Sequence, residues 1–146
     1  MRELFRYPVI QAARTAASYR LLSSDALHSM GVAHIERTLE RQDFEILFQS
    51  GSPSRFPQLK AYKKGESLWW VVVEAAMYPH IPLLSGDVGK EVLKHARLEQ
   101  AVVMYAPVMF INTKSQNLSL PSRNGNFSVL FSGFVEVSKQ SLRECR

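Results

Sequence analysis

Four histidines and one cysteine carry the side chains most often used as nucleophiles, bases and soft metal ligands, and none sits in a pattern that completes a site. Glu91 and His95 are spaced i and i+4, so on a helix they share a face. Two such groups fall short of the three or four ligands that hold zinc, and the spacing predicts a surface pair. His80 lies between Pro79 and Pro82 in a loop, while His28 and His34 fall within a helical pattern. Cys145 is next to the last residue, a poor position for a nucleophile that must be held in place. Neither a glycine-rich phosphate loop nor a G-x-S-x-G elbow is present. Two acids have more telling positions: Glu74 follows the apolar run Leu68–Val73, and Glu36 lies inside a predicted helix. Lys114 and Arg123 lie in a polar stretch without an acid, which suits either a phosphate-tracking loop or a plain surface loop.

The elements that must position these groups are readable from spacing. Ser23-Ser24-Asp25 offers side-chain oxygens to free backbone N–H groups, and Leu27, Met30 or Gly31, Ile35 and Leu39 follow at helical intervals. This predicts a helix to about Gln42, with Arg37, Glu40 and Arg41 outward. A first strand is predicted from Phe44 to Gln49, with Phe44, Ile46 and Phe48 on one side. Ser50 to Ser54 form a loop, and a second strand runs from Pro57 to Tyr62. A turn at Lys63–Glu66, with Gly65 available for positive φ, leads into a third strand from Leu68 to Ala76. Leu68 through Val73 has no polar break, so that strand must be covered on both faces and lie centrally. Trp69 and Trp70 then point to opposite faces. A second helix begins after Ser85 or Asp87 and runs to about Glu99, with Val88, Val92, Ala96 and Leu98 as its apolar contacts. Strands from Ala101 to Ile111 and from Phe127 to Val137 complete the chain, separated by the loop 113–126. A helical crossover after the third strand makes strands three and four parallel.

Composition sets the frame. The chain has 146 residues, the size of one domain, and 46% of them are hydrophobic, which argues against disorder. No apolar stretch approaches the ~20 residues that span a bilayer, so no membrane partner is expected. The lone cysteine excludes an intrachain disulfide and fits a reducing compartment, giving a cytoplasmic expectation. The formal charge of +5 is compatible with an anionic partner such as nucleic acid, without a clustered basic tail. Residues 1–22 carry Arg2, Arg6, Arg14 and Arg20 against Glu3, a composition shared with organellar transit peptides. Ile10, Ala13, Ala17 and Leu21 favour the other reading, a helical extension packed on the domain.

Over residues 23–112 the chain resembles a PD-(D/E)XK nuclease-like domain. The resemblance rests on the helix containing Glu36, the stretch Asp43-Phe44-Glu45-Ile46-Leu47, the hairpin from Pro57 to Trp70, and Val72-Val73-Glu74-Ala75-Ala76 at its end. It implies an α/β fold, restriction-endonuclease-like, with a mixed central sheet of about five strands and flanking helices. The polar loop and last strand, 113–146, lie beyond that core. In the family an acid sits in the second strand, and an acid and a lysine flank one residue at the end of the third. Together they hold a hard divalent cation and stabilise charge during phosphodiester hydrolysis. Here Glu74 matches the third-strand acid, Gln58 stands for the second-strand acid and Ala76 for the lysine. A neutral carbonyl is a weaker cation ligand, and alanine offers no donor.

The expected function is therefore a non-catalytic binding or assembly module on a degenerate nuclease-like scaffold. Its expected partners are nucleic acid, a second copy or another protein, with no cofactor and no assigned metal site. Candidate binding residues are Gln58, Lys60, Lys90, Lys94, Lys114 and Arg123. One alternative is an atypical Mg²⁺-dependent nuclease using Glu74 and Glu36, with a lysine displaced to Lys90 or Lys94. Another is a homo-oligomeric α+β interaction protein unrelated to nucleases. If Glu74 has no metal to bind, it is expected to face water at the strand end or to pair with a base such as Lys60 or Arg55.

Overall fold

Ser23 caps the first helix as its side chain predicts: its Oγ accepts the Ala26 N–H at 3.0 Å. The computed structural model describes residues 23–112 and 127–144. Helix α1, Ser24–Arg41, buries His28, Gly31, Val32, Ile35 and Leu39, one stripe at three- and four-residue intervals. The strands are β1, Glu45–Gln49; β2, Leu59–Tyr62; β3, Trp69–Met77; β4, Val102–Asn112; β5, Phe127–Leu130; and β6, Val135–Glu136. Helix α2, Gly86–Leu98, connects β3 to β4, and a short α3, Lys139–Glu144, follows β6.

The sheet has the order β1-β2-β3-β4-β5, with β6 paired to β4 beside β5. β3 and β4 are parallel from Trp69↔Val102 to Met77↔Phe110, and every other pairing is antiparallel. The chain is thus a mixed α/β domain with helices flanking a six-stranded sheet, and β3 is central as its unbroken apolar run requires. Strand alternation divides the core. Val71, Val73, Leu59, Ala106 and Val108 face α1, whereas Trp70, Val72 and Val103 face Val92 and Ala96 of α2 and Leu142 of α3. Trp69 and Trp70 go to these two opposite layers, as expected.

Several boundaries differ from the sequence reading. β2 starts at Leu59, two residues later than the sequence predicts, although the main chain of Gln58 still bonds Val71 O and the Ser50 N–H. In β1 the register passes from Ile46↔Ala61 to Phe48↔Lys60, so Leu47 is the extra residue of a bulge. The bulge turns Phe48 to the Lys60 side, away from the face it was expected to share with Ile46. The predicted strand from Phe127 to Val137 is two strands. Gly133, at φ +118°, breaks it, and Phe131 and Phe134 meet edge to face at 5.0 Å against the core on the α1 side. Leu98 is 82% exposed, since the buried stripe of α2 is Gly89, Val92 and Ala96. Helix α3 was not foreseen; reciprocal bonds between Ser138 and Ser141 set its first turn. Residues 1–22, 113–126 and Cys145, with the expectations placed on them, lie outside the described residues.

Gly31 lets α1 lie close against β3. A Cβ there would lie 3.0 Å from the Ala75 Cβ and 3.7 Å from Val73 Cγ1. Replacing Gly31 with Val therefore pushes the helix off the sheet and is expected to cost about 1–3 kcal/mol. Urea unfolding of the two chains measures it, and an unchanged midpoint contradicts this packing.

Candidate functional site

Alternation along β3 places Trp70, Val72, Glu74 and Ala76 on the α2 face of the sheet. The parallel register sets Val72 opposite Tyr105, and from there the Tyr105 hydroxyl donates to Glu74 Oε1 at 2.8 Å. Glu74 is half-buried, and loss of water pushes its carboxyl above the ordinary carboxylate range, while the Tyr105 hydrogen bond pulls partly the other way. Burial, then the bond to Glu74 and its charge, push the Tyr105 phenol far upward, so it stays a donor. Tyr105 escaped the sequence reading. It is one aromatic in an apolar strand, and only the β3–β4 register reveals what it faces.

Gln58 is fully buried, and both ends of its amide are engaged. Its Oε1 accepts the Val73 N–H at 2.8 Å, standing in for the strand partner that β2 no longer supplies. Its Nε2 donates to the Arg55 carbonyl at 3.2 Å. The main chain is tied as well: Gln58 N–H donates to Val71 O, and Ser50 N–H to Gln58 O. A carboxylate at this position would accept from Val73 but could not donate to Arg55, so the residue type matches this role.

Lys60 does not pair with Glu74. Its Nζ bonds both Glu99 carboxylate oxygens at 3.2 Å and lies 4.5 Å from the Trp70 ring and 5.5 Å from that of Phe48. Trp70 Nε1 donates to the same Glu99 Oε1 at 3.2 Å. Glu99 was also missed; it lies just past α2, and nothing in its local sequence marks a partner 39 residues away.

The remaining candidates are dispersed. Glu36 accepts from Gln49 Nε2 at 3.3 Å and belongs to α1, which covers the face of β3 opposite Glu74. The structure does not bring the two acids together. Lys90 and Lys94 are exposed on α2, while Lys114 and Arg123 lie outside the described residues. The Glu91–His95 pair is present at 3.3 Å on the surface, as its spacing predicts. His80 is exposed, and His28 is buried with Nε2 unpartnered, where desolvation lowers its pKa and favours the neutral ring. Among the described residues no three His, Cys, Asp or Glu side chains converge to hold a metal ion. None of the described helices is long and apolar enough to cross a membrane.

By class, then, this is a mixed α/β domain with a six-stranded sheet between helical layers. Residues 25–137 match the model of a family described as a domain of unknown function, DUF8840, and the chain belongs to that family. No curated protein and no solved structure matches it.

Two measurements test the polar contacts of the α2 face. Gln58→Leu leaves the buried Val73 N–H and the Arg55 carbonyl without partners and is expected to lower unfolding free energy by about 1–3 kcal/mol or more. A denaturant midpoint equal to that of the parent chain contradicts the assignment. Glu74 has a folded pKa above its unfolded one, so over that window the folded chain binds more protons. Its contribution to stability is then highest at low pH and is lost as pH rises through the raised pKa. Glu74→Gln removes that slope, and its stability relative to the parent should rise between acid and neutral pH. A flat difference across that range contradicts the assigned desolvation.

Proposed function

We propose that this domain is a non-catalytic binding or assembly module on a degenerate nuclease-like scaffold. One observation carries the proposal: the residue at the place of the second-strand acid, Gln58, is buried and spends its amide on Val73 N–H and the Arg55 carbonyl. The donor set does not fit a hard divalent cation. Gln58 points into the backbone, Ala76 has no donor, and the nearest partner of Glu74 is a phenol that donates to it. No step of phosphodiester hydrolysis is therefore assigned to these groups.

The atypical-nuclease alternative asks Glu36 and Glu74 to share a cleft, and their placement on opposite sides of the sheet gives it no support. The parallel β3–β4 crossover through α2 supports a nuclease-like scaffold over an unrelated, wholly antiparallel interaction domain. Lys90, Lys94 and Arg97 share one exposed flank of α2, which suits an anionic partner. A cytoplasmic setting is proposed on the cysteine usage alone.

The test incubates the purified full chain with single- and double-stranded DNA and RNA in Mg²⁺ or Mn²⁺. The expected result is no cleavage above the metal-free control, identical for Glu74→Ala. Robust metal-dependent cleavage that disappears in Glu74→Ala overturns the proposal.

A further inference from the structure

The two halves of α1 are held to the sheet unequally. In the second half Val32, Ile35 and Leu39 are all buried in the apolar layer. The first half has weaker anchors. Leu27 and Met30 are only partly buried, Gly31 has no side chain, and the remaining inward residue is His28. Its ring is 7% exposed, and its Nε2 has no hydrogen-bond partner. The strand positions turned toward α1 are Val73, Ala75 and Met77 on β3, Leu59 and Ala61 on β2 and Ile46 on β1, so the sheet offers the ring no side-chain acceptor. The charges near it belong to α1 itself. Asp25, one turn before, draws a proton toward the ring. Glu36 is turned to Gln49 of β1. His34 meets Phe131 edge-on at 6.2 Å, and burial, then Arg37 and Arg41, push it toward the neutral form as well.

We infer that α1 is a pH-sensitive clasp, in which protonation of His28 releases the first turns, Ser24–Gly31, from the sheet while the second half stays seated. A neutral imidazole has one N–H, but the protonated ring has two and needs an acceptor for each. At Nε2 there is none, so the added proton is stabilised only once the ring reaches water. Asp25 attracts that proton from a distance, and burial outweighs it. The docked ring therefore titrates below the ordinary 6.5, so docking is firmest above that value and weakens as pH falls through it toward the lowered one. Gly31 stands at the boundary between the two halves, where the lack of a side chain eases a bend. Release uncovers Ala75 and Met77 on the face of β3 opposite Glu74, whose own pH slope has the other sign. The clasp thus stands or falls independently of the reading of the Glu74 site.

The experiment follows amide hydrogen exchange of the full, ¹⁵N-labelled chain between about pH 7.5 and 5, corrected for the intrinsic pH dependence of exchange. Opening at the amides of His28 to Gly31 should grow by about fivefold to tenfold over that span, as one proton taken up on release requires. The amides of Ile35, Leu39 and Val108 should keep their protection. In His28→Leu and His28→Gln, neither of which titrates, opening at the same amides should no longer depend on pH. The His28 ring protons, followed by NMR in the parent chain, should titrate below 6.5. If neither variant folds, that titration and the pH dependence of the parent decide together. Opening of the first turns that is flat with pH overturns the inference. So does an equal rise at Val108, the same pH dependence in a folded His28 variant, or a ring that titrates at or above 6.5.

Discussion

The parallel pairing of β3 with β4 is the constraint on which the rest of the domain depends. Parallel neighbours cannot be joined by a hairpin, so the chain must leave the sheet at Met77, cross through α2 and return at Val102. That excursion supplies the cover for one face of β3, while α1 supplies the cover for the other. Without both layers the run from Trp70 to Val73 would expose a continuous apolar strip to water. The same pairing then fixes chemistry. A register of Val72 to Tyr105 is what brings a phenol within 2.8 Å of Glu74. A slip of one residue would send Tyr105 into the α1 core and leave the acid half-buried without a donor.

The polar side chains along β2, β3 and β4 find partners within the protein. Gln58 completes a strand, Tyr105 donates to Glu74, and Glu99 gathers both the Lys60 ammonium and the Trp70 indole. Each group reduces the desolvation penalty of its neighbour, which is the usual condition for keeping polar atoms at a partly buried surface. Gln58 Oε1 and Glu74 Oε1 are both aimed at protein donors, the Val73 N–H and the Tyr105 hydroxyl.

How much of this was legible in the sequence depended on range. The apolar run through Val73 announced a central strand, the Ser23 cap announced α1, and the spacing from Val88 to Ala96 announced α2, because each signal is written within a few residues. Features written by tertiary fit were not legible. The bulge at Leu47 arises from matching β1 to β2, and it reverses the face of Phe48 without any local glycine or proline. The break at Gly133 was locally available, yet flanking β-formers hid it, and one strand was read where the chain makes two. Leu98 was read as an apolar contact by spacing alone, but the stripe of α2 turns away from it before the helix ends. At the candidate site, the identities of Gln58 and Ala76 already pointed to a poor cation site. Where the Gln58 amide would spend its hydrogen bonds could be known only from coordinates.

Burial also explains why position 58 suits an amide better than an acid. A glutamate there would keep the bond from Val73 N–H but would lose the donor that now reaches the Arg55 carbonyl. It would also bring a charge into a site with no exposure to water and no cation among its contacts. Either the carboxyl takes up a proton, in which case it is no better a cation ligand than the amide, or it ionises at a cost of several kcal/mol. An acid at this position would not by itself make a metal ligand, because the side chain is aimed at the backbone of β3. A cation ligand at position 58 is thus opposed by geometry as well as by residue type, and making one would require rebuilding the approach from Pro53 to Gln58.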